Sequence, residues 1–316
     1  MANTKEIQNR IKSIQDTMKI TNAMYMMSSM KLRKAKMKLE NTEAYFYGLQ
    51  SEISDMLLHF PDMQHLYFDN RGKDLQEQVK KKGFIVITGD KGMAGAYNHN
   101  VLKEAQKMID EVEEYRLFVV GEIGRHYFSN LGYNIEKEFH FSAGNPSIHR
   151  ARVMEEYIID LYKQEQIDEV YIIYTRMVNS MKEQVEIHEI LPLKTHAFIK
   201  RELLDQANLG KGNFDKEAAD QVDDWFLIYP SPKRVLEKLV YNYVTGFLYG
   251  VLVEGSASEE NARMMAMQSA TNNAQVMLAE LSVEYNRVRQ AAITQEITEV
   301  IGGAKALKKK KKRQVR

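Results

Sequence analysis

The sequence predicts an α/β protein in which two long terminal helices pair as an antiparallel coiled coil and flank a small strand-and-helix domain. Three observations predict it. The five prolines of the 316-residue chain fall at 61, 146, 192, 230 and 232, so residues 1–60 and 233–316 are free to be helical throughout. Both ends carry a sustained apolar repeat of 3.5 residues. Between them, short apolar β-rich runs alternate with helical patterns.

In the first segment, residues 1–60, alternating steps of four and three from Ile7 reach Phe60 through sixteen positions. Thirteen are apolar or aromatic; Thr21, Ser28 and Thr42 are the exceptions. A lone amphipathic helix on a globular core would drift off this period within a few turns. At 1.5 Å per residue, residues 3–59 would reach about 85 Å and 233–303 about 105 Å, too long to fold back within a small domain.

The middle segment, 61–224, holds the runs FIVIT (84–88), LFVVG (117–121) and VYIIY (170–174), with helical patterns near 99–113 and 148–164 and an alternating strand at 183–191. This order predicts a modest, mostly parallel, Rossmann-like sheet with helices, followed by an irregular polar link over 203–224. The third segment, 225–307, resumes the three–four alternation at Met264, Met267, Thr271, Ala274, Leu278, Leu281, Tyr285, Val288 and Ala292. Ala257, Ala262, Ala266, Ser269 and Ala270 are small enough for a partner helix to approach closely. Past Ala292 the apolar residues change face: Gln295 and Glu299 take the old register, and Ile293, Ile297, Val300 and Ile301 form a new stripe. The longer helix is expected to outrun its partner there and offer that stripe to something else.

The last segment, 308–316, is the basic tail KKKKKRQVR. Its seven positive charges hide an acidic body: the net charge is +1 overall and −6 over residues 1–307. Nucleic-acid binders carry their basic field on the folded body, so a solvated tail is expected. With no cysteine, disulfides, thiolate metal sites and thiol catalysis are excluded. MANTKEIQNRIKSIQ lacks an apolar signal-like core, and no stretch approaches the roughly 20 apolar residues of a membrane span. A soluble chain without a visible export signal is expected.

The turn GDKGMAGAYN (89–98) follows the first strand and spaces its glycines G-x-x-G-x-x-G. Neither GxxxxGK[ST] nor GxGxxG fits, so the reading is a tight turn whose glycines supply positive φ or close packing. No paired histidine spacing, no GxSxG elbow and no nucleophile–base pair is present; no cofactor or metal is called for. His140 and His149 read as ordinary polar positions. The cluster Lys31, Arg33, Lys34, Lys36 and Lys38 lies beside Met24, Met26, Met27 and Met30. It is either a solvated helix face or a surface that meets acidic elements of a partner, with methionine supplying adaptable apolar contact.

KITNAMYMMSSMKLRKAK (19–36) closely resembles the motif KITKAMEMVAAAKLRRA of the gamma subunits of F-type ATP synthases. ARMMAMQSATNNA (262–274) and YNRVRQAAITQEITEVIGGA (285–304) resemble that family's C-terminal signatures, and GDKGMAGAYNHN its SDRGLCGGLNSN turn. The resemblance implies a non-catalytic central-stalk rotor. Its coiled coil would stand inside a hexamer of alpha and beta subunits, with its α/β domain against the epsilon subunit and the membrane c-ring, at the cytoplasmic face of a bacterial membrane. It further implies that Arg289 and Gln290 contact a beta-subunit loop, with Thr294 and Glu296 beside them. Met24 would lie near the beta-subunit lever, where an added charge is expected to impair coupling, and Lys91 close to the same region. Lys31 and Arg33 complete the expected contact set. On this reading the tail passes beyond the ring's sleeve and meets solvent or acidic rims. Asn22, Tyr25, Ala94, Ala96 and Tyr229 depart from the family pattern. The alternatives are the shaft of a divergent rotary ATPase and a non-rotary coiled-coil adaptor.

Overall fold

The computed structural model describes residues 4–60, 65–68, 80–180, 182–194, 198 and 228–314, with the side chains at 43, 44, 58 and 306–314 left aside. The polar link expected at 203–224 lies outside the described residues. Helix α1 spans Thr4–His59. All sixteen register positions from Ile7 to Phe60 are buried or half-buried. The 3.5-residue repeat therefore marks a real seam.

The sheet contains β1 (Lys82–Ile87), β2 (Tyr115–Val120), β3 (Glu169–Asn179) and β4 (Lys182–Leu191) in the order β2-β1-β3-β4. β1 pairs in parallel with both neighbours, and β4 returns antiparallel to β3. Helices α2 (Tyr97–Asp110), α3 (Glu122–Asn130) and α4 (Ile148–Lys163) fill the crossovers. α4 starts where Ser147 Oγ accepts a hydrogen bond from the Arg150 N–H at 3.3 Å, the usual way to satisfy an orphan amide at a helix start.

Helix α3 was not expected from the sequence. It has nine residues and no side-chain cap, and it starts after Gly121, whose φ is +93°. A Cβ there would lie 2.3 Å from the Thr88 carbonyl oxygen, so the entry requires glycine. Thr88 Oγ1 donates to Val120 O and accepts from Gly124 N, tying β1, β2 and α3 at one point.

Period-2 alternation along the strands divides the core into two faces. Phe84, Val86, Leu117 and Val119 pack with Val101, Leu102, Ala105 and Ile109 of α2 and Phe128 of α3. Ile85, Ile87, Phe118, Val120 and Ile172 face the other way, onto Met154, Ile158 and Ile159 of α4. That second face is also covered by Ile53, Met56 and Leu57 of α1 and by Leu236, Val240, Val244 and Leu248 of the last helix, α5 (Pro232–Gln314).

The chain forms two compact units, residues 28–263 and residues 1–27 with 264–316. In the larger, α1 and α5 run antiparallel: Lys31 meets Glu260, and Phe46 stacks on Tyr243 with ring centroids 5.0 Å apart. In the smaller, Thr21 Oγ1 lies 2.8 Å from Thr271 Oγ1. The seam positions of α5 from Met264 to Val288 are buried or half-buried, whereas every residue from Arg289 to Lys305 is exposed. Of the small residues expected to admit a close partner, Ala257 is buried, Ala262, Ala266 and Ala270 are half-buried, and Ser269 is exposed. α5 continues through Gly302 and Gly303 to Gln314 despite the glycine pair, at a helix propensity lower by roughly 1 kcal/mol per glycine than alanine.

Candidate functional site

The turn between β1 and α2 is held from within. Gly89 N–H donates to Asn98 Oδ1 at 2.8 Å, and Tyr97 Oη reaches Gly255 O of α5 at 3.0 Å. Two of the three turn glycines have the roles expected of them. Gly95 has φ +56°, and a Cβ on Gly89 would meet the Glu259 carboxylate at 2.8 Å. Gly92 has neither constraint. The Asp90 carboxylate accepts hydrogen bonds from Ser142 Oγ at 2.5 Å, Ala143 N–H at 3.1 Å and Gly144 N–H at 2.9 Å. Burial pushes Asp90 up, but these hydrogen bonds outweigh it and hold the acid below its ordinary value. The turn thus directs a carboxylate onto the amides of the neighbouring 142–144 loop, and that negative charge would repel a phosphate.

Beneath the turn lies an ion network that the sequence did not disclose. Arg263 is paired with Glu259 through Nη2 and with Glu260 at 3.0 Å through Nη1. The same Nη2 donates to the carbonyls of Lys91 and Gly92 at 3.3 and 3.4 Å. Lys31 of α1 adds a 2.9 Å bridge to Glu260. Burial raises the Glu259 carboxyl above its ordinary value even with Arg263 alongside. Glu260, equally buried, is held low by the hydrogen bonds from Lys31 and Ser28 and by Arg263. Arg263, Glu259 and Glu260 are buried, whereas Lys31 is largely exposed; removing Arg263 would strand the two buried carboxylates at a cost of about 3–5 kcal/mol. The i, i+4 spacing of Glu259 and Arg263 was the one signal that could have revealed the pair.

Of the expected contact residues, this network joins Lys31 and Lys91 to the same guanidinium. The Lys31 side chain meets it through Glu260, and the Lys91 backbone meets it directly. Arg33 and the Lys91 side chain are exposed. Lys38 is not a free cation of the patch: it donates to the Pro146 carbonyl at 3.2 Å. In the smaller unit, Met24 is half-buried in α1, while Met26 and Met27 are exposed. Arg289, Gln290, Thr294 and Glu296 lie within two turns of one another on the bare part of α5, all exposed. There Thr294 Oγ1 donates to the Gln290 carbonyl at 2.9 Å, so its hydroxyl hydrogen is engaged with the helix backbone. The stripe beside them is exposed too, from 47% at Ile293 to 73% at Val300.

Among the described residues no group of three or more His, Cys, Asp or Glu could hold a metal ion, and no helix is long and apolar enough to cross a membrane. A family model described as ATP synthase matches residues 3–307. An ATP synthase gamma chain from Acetivibrio thermocellus is 43% identical over 309 residues, 98% of this chain and 100% of the relative. The chain belongs to the gamma-chain family of ATP synthases. Another gamma relative, from Acetobacterium woodii and described as sodium ion specific, is 37% identical over 96% of this chain and 99% of its own length.

Solved structures agree on the fold of this gamma-family chain. A central stalk and c-ring assembly of the Tetrahymena thermophila mitochondrial ATP synthase contains a chain matching with TM-score 0.55 at 22% identity, over 79% of this chain and 99% of its own. One from the Euglena gracilis mitochondrial enzyme matches with TM-score 0.52 at 16% identity, over 90% and 95%. The long paired terminal helices and the small α/β sheet are thus the family's architecture as well as this chain's.

Proposed function

We propose that this chain is the central-stalk rotor of an F-type ATP synthase. It passes the rotation of a membrane c-ring to a hexamer of alpha and beta subunits, which alone carry the nucleotide chemistry. The observation that carries the proposal is the end of α5, where the paired seam stops at Val288 and a fully exposed helix follows with Ile293, Ile297, Val300 and Ile301 along it. An apolar stripe turning inside an apolar collar meets attraction without direction, because hydrophobic contact has no preferred orientation. Hydrogen-bonded contacts would have to break at every step. The seam below it resists separation of the two helices and so lets torque applied at one end appear at the other.

In this reading Met24, Lys31, Arg33 and Lys91 face moving elements of the beta subunits, and Arg289, Gln290, Thr294 and Glu296 touch a beta-subunit loop. The α/β domain meets the epsilon subunit and the c-ring, and the chain is held peripherally at the cytoplasmic face of the bacterial membrane by the complex. Asp90 of the glycine turn is spent on the Ala143 and Gly144 amides, and its carboxylate there would repel a phosphate, which supports a chain that performs no phosphate chemistry of its own.

The test is reconstitution. The complete chain mixed with the alpha and beta chains of the same synthase is expected to elute with them in fixed ratio and to turn a bead fixed to its α/β domain when ATP is added. On its own it is expected to hydrolyse no ATP. Failure to co-assemble, or turnover by the purified chain free of alpha and beta, would overturn the proposal.

A further inference from the structure

In the larger unit, a half-open cavity of about 150 Å³ lies where α1, β3 and α5 meet. Four aromatic rings line it: Phe46 and Tyr47 of α1, Tyr174 of β3 and Phe247 of α5. Neighbouring rings hold them in place. Phe46 stacks on Tyr243 at 5.0 Å and lies 6.0 Å from Phe247, while His188 stacks on Tyr174 at 5.8 Å and meets Phe247 at 5.9 Å. The space between the rings is left by two glycines one turn apart on α5, Gly246 and Gly250. Neither has a positive φ; a Cβ on Gly246 would make ordinary contact with Phe46 at 3.7 Å, and one on Gly250 would meet nothing within 4 Å. Alanine would fit at both positions and would favour the helix. No turn and no close backbone approach calls for these glycines; what they do is keep the cavity open.

The field at its wall is negative. Glu254 of α5 lines the cavity, and Arg176 is divided between Glu254 at 3.7 Å and Glu186 at 3.6 Å. Burial above all raises the Tyr174 hydroxyl, and Glu254 and Glu186 raise it further against the pull of Arg176. Aromatic faces attract a cation, the more so where water is excluded, and an organic ammonium sheds its water far more easily than a metal ion. We infer that this cavity is an aromatic cage for a small organic cation of the methylated-ammonium class, with Glu254 as its countercharge. A cavity of about 150 Å³ admits one group the size of benzene. An anion would be opposed by Glu254. The bound cation would touch α1, β3 and α5 together and so tie the helical seam to the sheet. This site belongs to the chain itself and does not depend on the rotor reading above.

The test titrates choline into the complete chain and follows binding by calorimetry, with 3,3-dimethylbutan-1-ol, the uncharged molecule of the same shape, as the comparison. One choline per chain is expected, with the alcohol weaker by about tenfold or more. Glu254→Gln is expected to weaken choline by about threefold or more. Gly250→Leu, whose side chain would fill the open space, is expected to abolish binding while melting no lower than wild type. Choline is expected to raise the melting temperature of the wild type and not of Gly250→Leu. No saturable choline binding, equal affinity for choline and the alcohol, or undiminished binding by Gly250→Leu would each overturn the inference. Phosphatidylcholine vesicles separate a free cation from a lipid headgroup: no retention is expected, and retention lost in Gly250→Leu would overturn the assignment to a free cation. So would choline binding that disappears when the chain assembles with alpha and beta chains, since a partner would then fill the cage. A chain that binds choline and fails to assemble would sink the rotor reading and leave this one standing.

Discussion

Glu155 of α4 is 2% exposed, and only one of its carboxylate oxygens has a hydrogen-bond partner among the described residues: Oε2 accepts from Thr245 Oγ1 of α5 at 3.4 Å. Burial raises this carboxyl from 4.5 to about 7; Glu156 adds to the rise, while Thr245, Arg152 and Lys163 oppose it. Below about pH 4.5 the group is protonated in both folded and unfolded chains. Between that and about pH 7 the unfolded chain ionises first, so stability falls as pH rises, and above pH 7 the loss is complete. At roughly 1.4 kcal/mol per pKa unit, the loss is on the order of 3 kcal/mol. Glu155→Gln is therefore expected to melt at a higher temperature than wild type at pH 8 and at nearly the same temperature at pH 5. An equal gap at both values in thermal melts would refute this account. Nothing in the sequence distinguished Glu155 from its exposed neighbour Glu156, because a carboxylate on a helix is ordinarily a surface residue.

At the scale of the element, the polar interruptions of the seam have physical reasons. Thr21 and Thr271 face each other across the two helices, and their hydroxyls also reach Met18 O at 3.1 Å and Met267 O at 2.9 Å. Two hydroxyl hydrogens serve three contacts, so the pair acts as a unit. Thr21→Val and Thr271→Val are each expected to cost about 1 kcal/mol, and the double variant less than their sum by about 0.5 kcal/mol or more. Urea unfolding of the complete chain measures this, and strict additivity would show the hydroxyls to be independent. Ser28 is accounted for by Glu260, and Thr42 by its bond to the Lys38 carbonyl at 2.7 Å.

The two long helices were legible because a 3.5-residue repeat over sixteen positions has no other physical source. The strands were legible because both sheet faces are covered, which makes each a nearly continuous apolar run. Helix α3 was not, since nine residues entered through a glycine offer neither a cap nor a full amphipathic period. The network of Glu259, Glu260 and Arg263 was not either. Its charges are adjacent in sequence, and only packing against the turn at Lys91 takes them out of water.

For the whole molecule, the proposed role makes the two ends of the final helix unequal in importance. Removing residues 308–316 takes away charge but leaves the stripe, so assembly and ATP-driven rotation are expected to survive with altered salt dependence. Ending the chain at Val288 removes Arg289, Gln290 and the entire exposed stripe, and is expected to lower torque in a single-molecule rotation assay while the paired seam still forms. Equal torque from both truncations would mean that the bare helix bears no load. The contact surface was only half legible: exposure of Ile297 and Val300 says that something covers them, and the family supplies what the residues alone do not name.

The stop of the seam at Val288 has a mechanical consequence as well. Two helices paired along a seam resist bending more than either would alone, while long single helices curve. Within the smaller unit, α5 therefore passes from paired to unpaired at one known residue. Any eccentricity between a turning axle and its bearing would be absorbed beyond Val288 as reversible flexure, like the thin neck of a drive coupling, rather than as friction along the whole length.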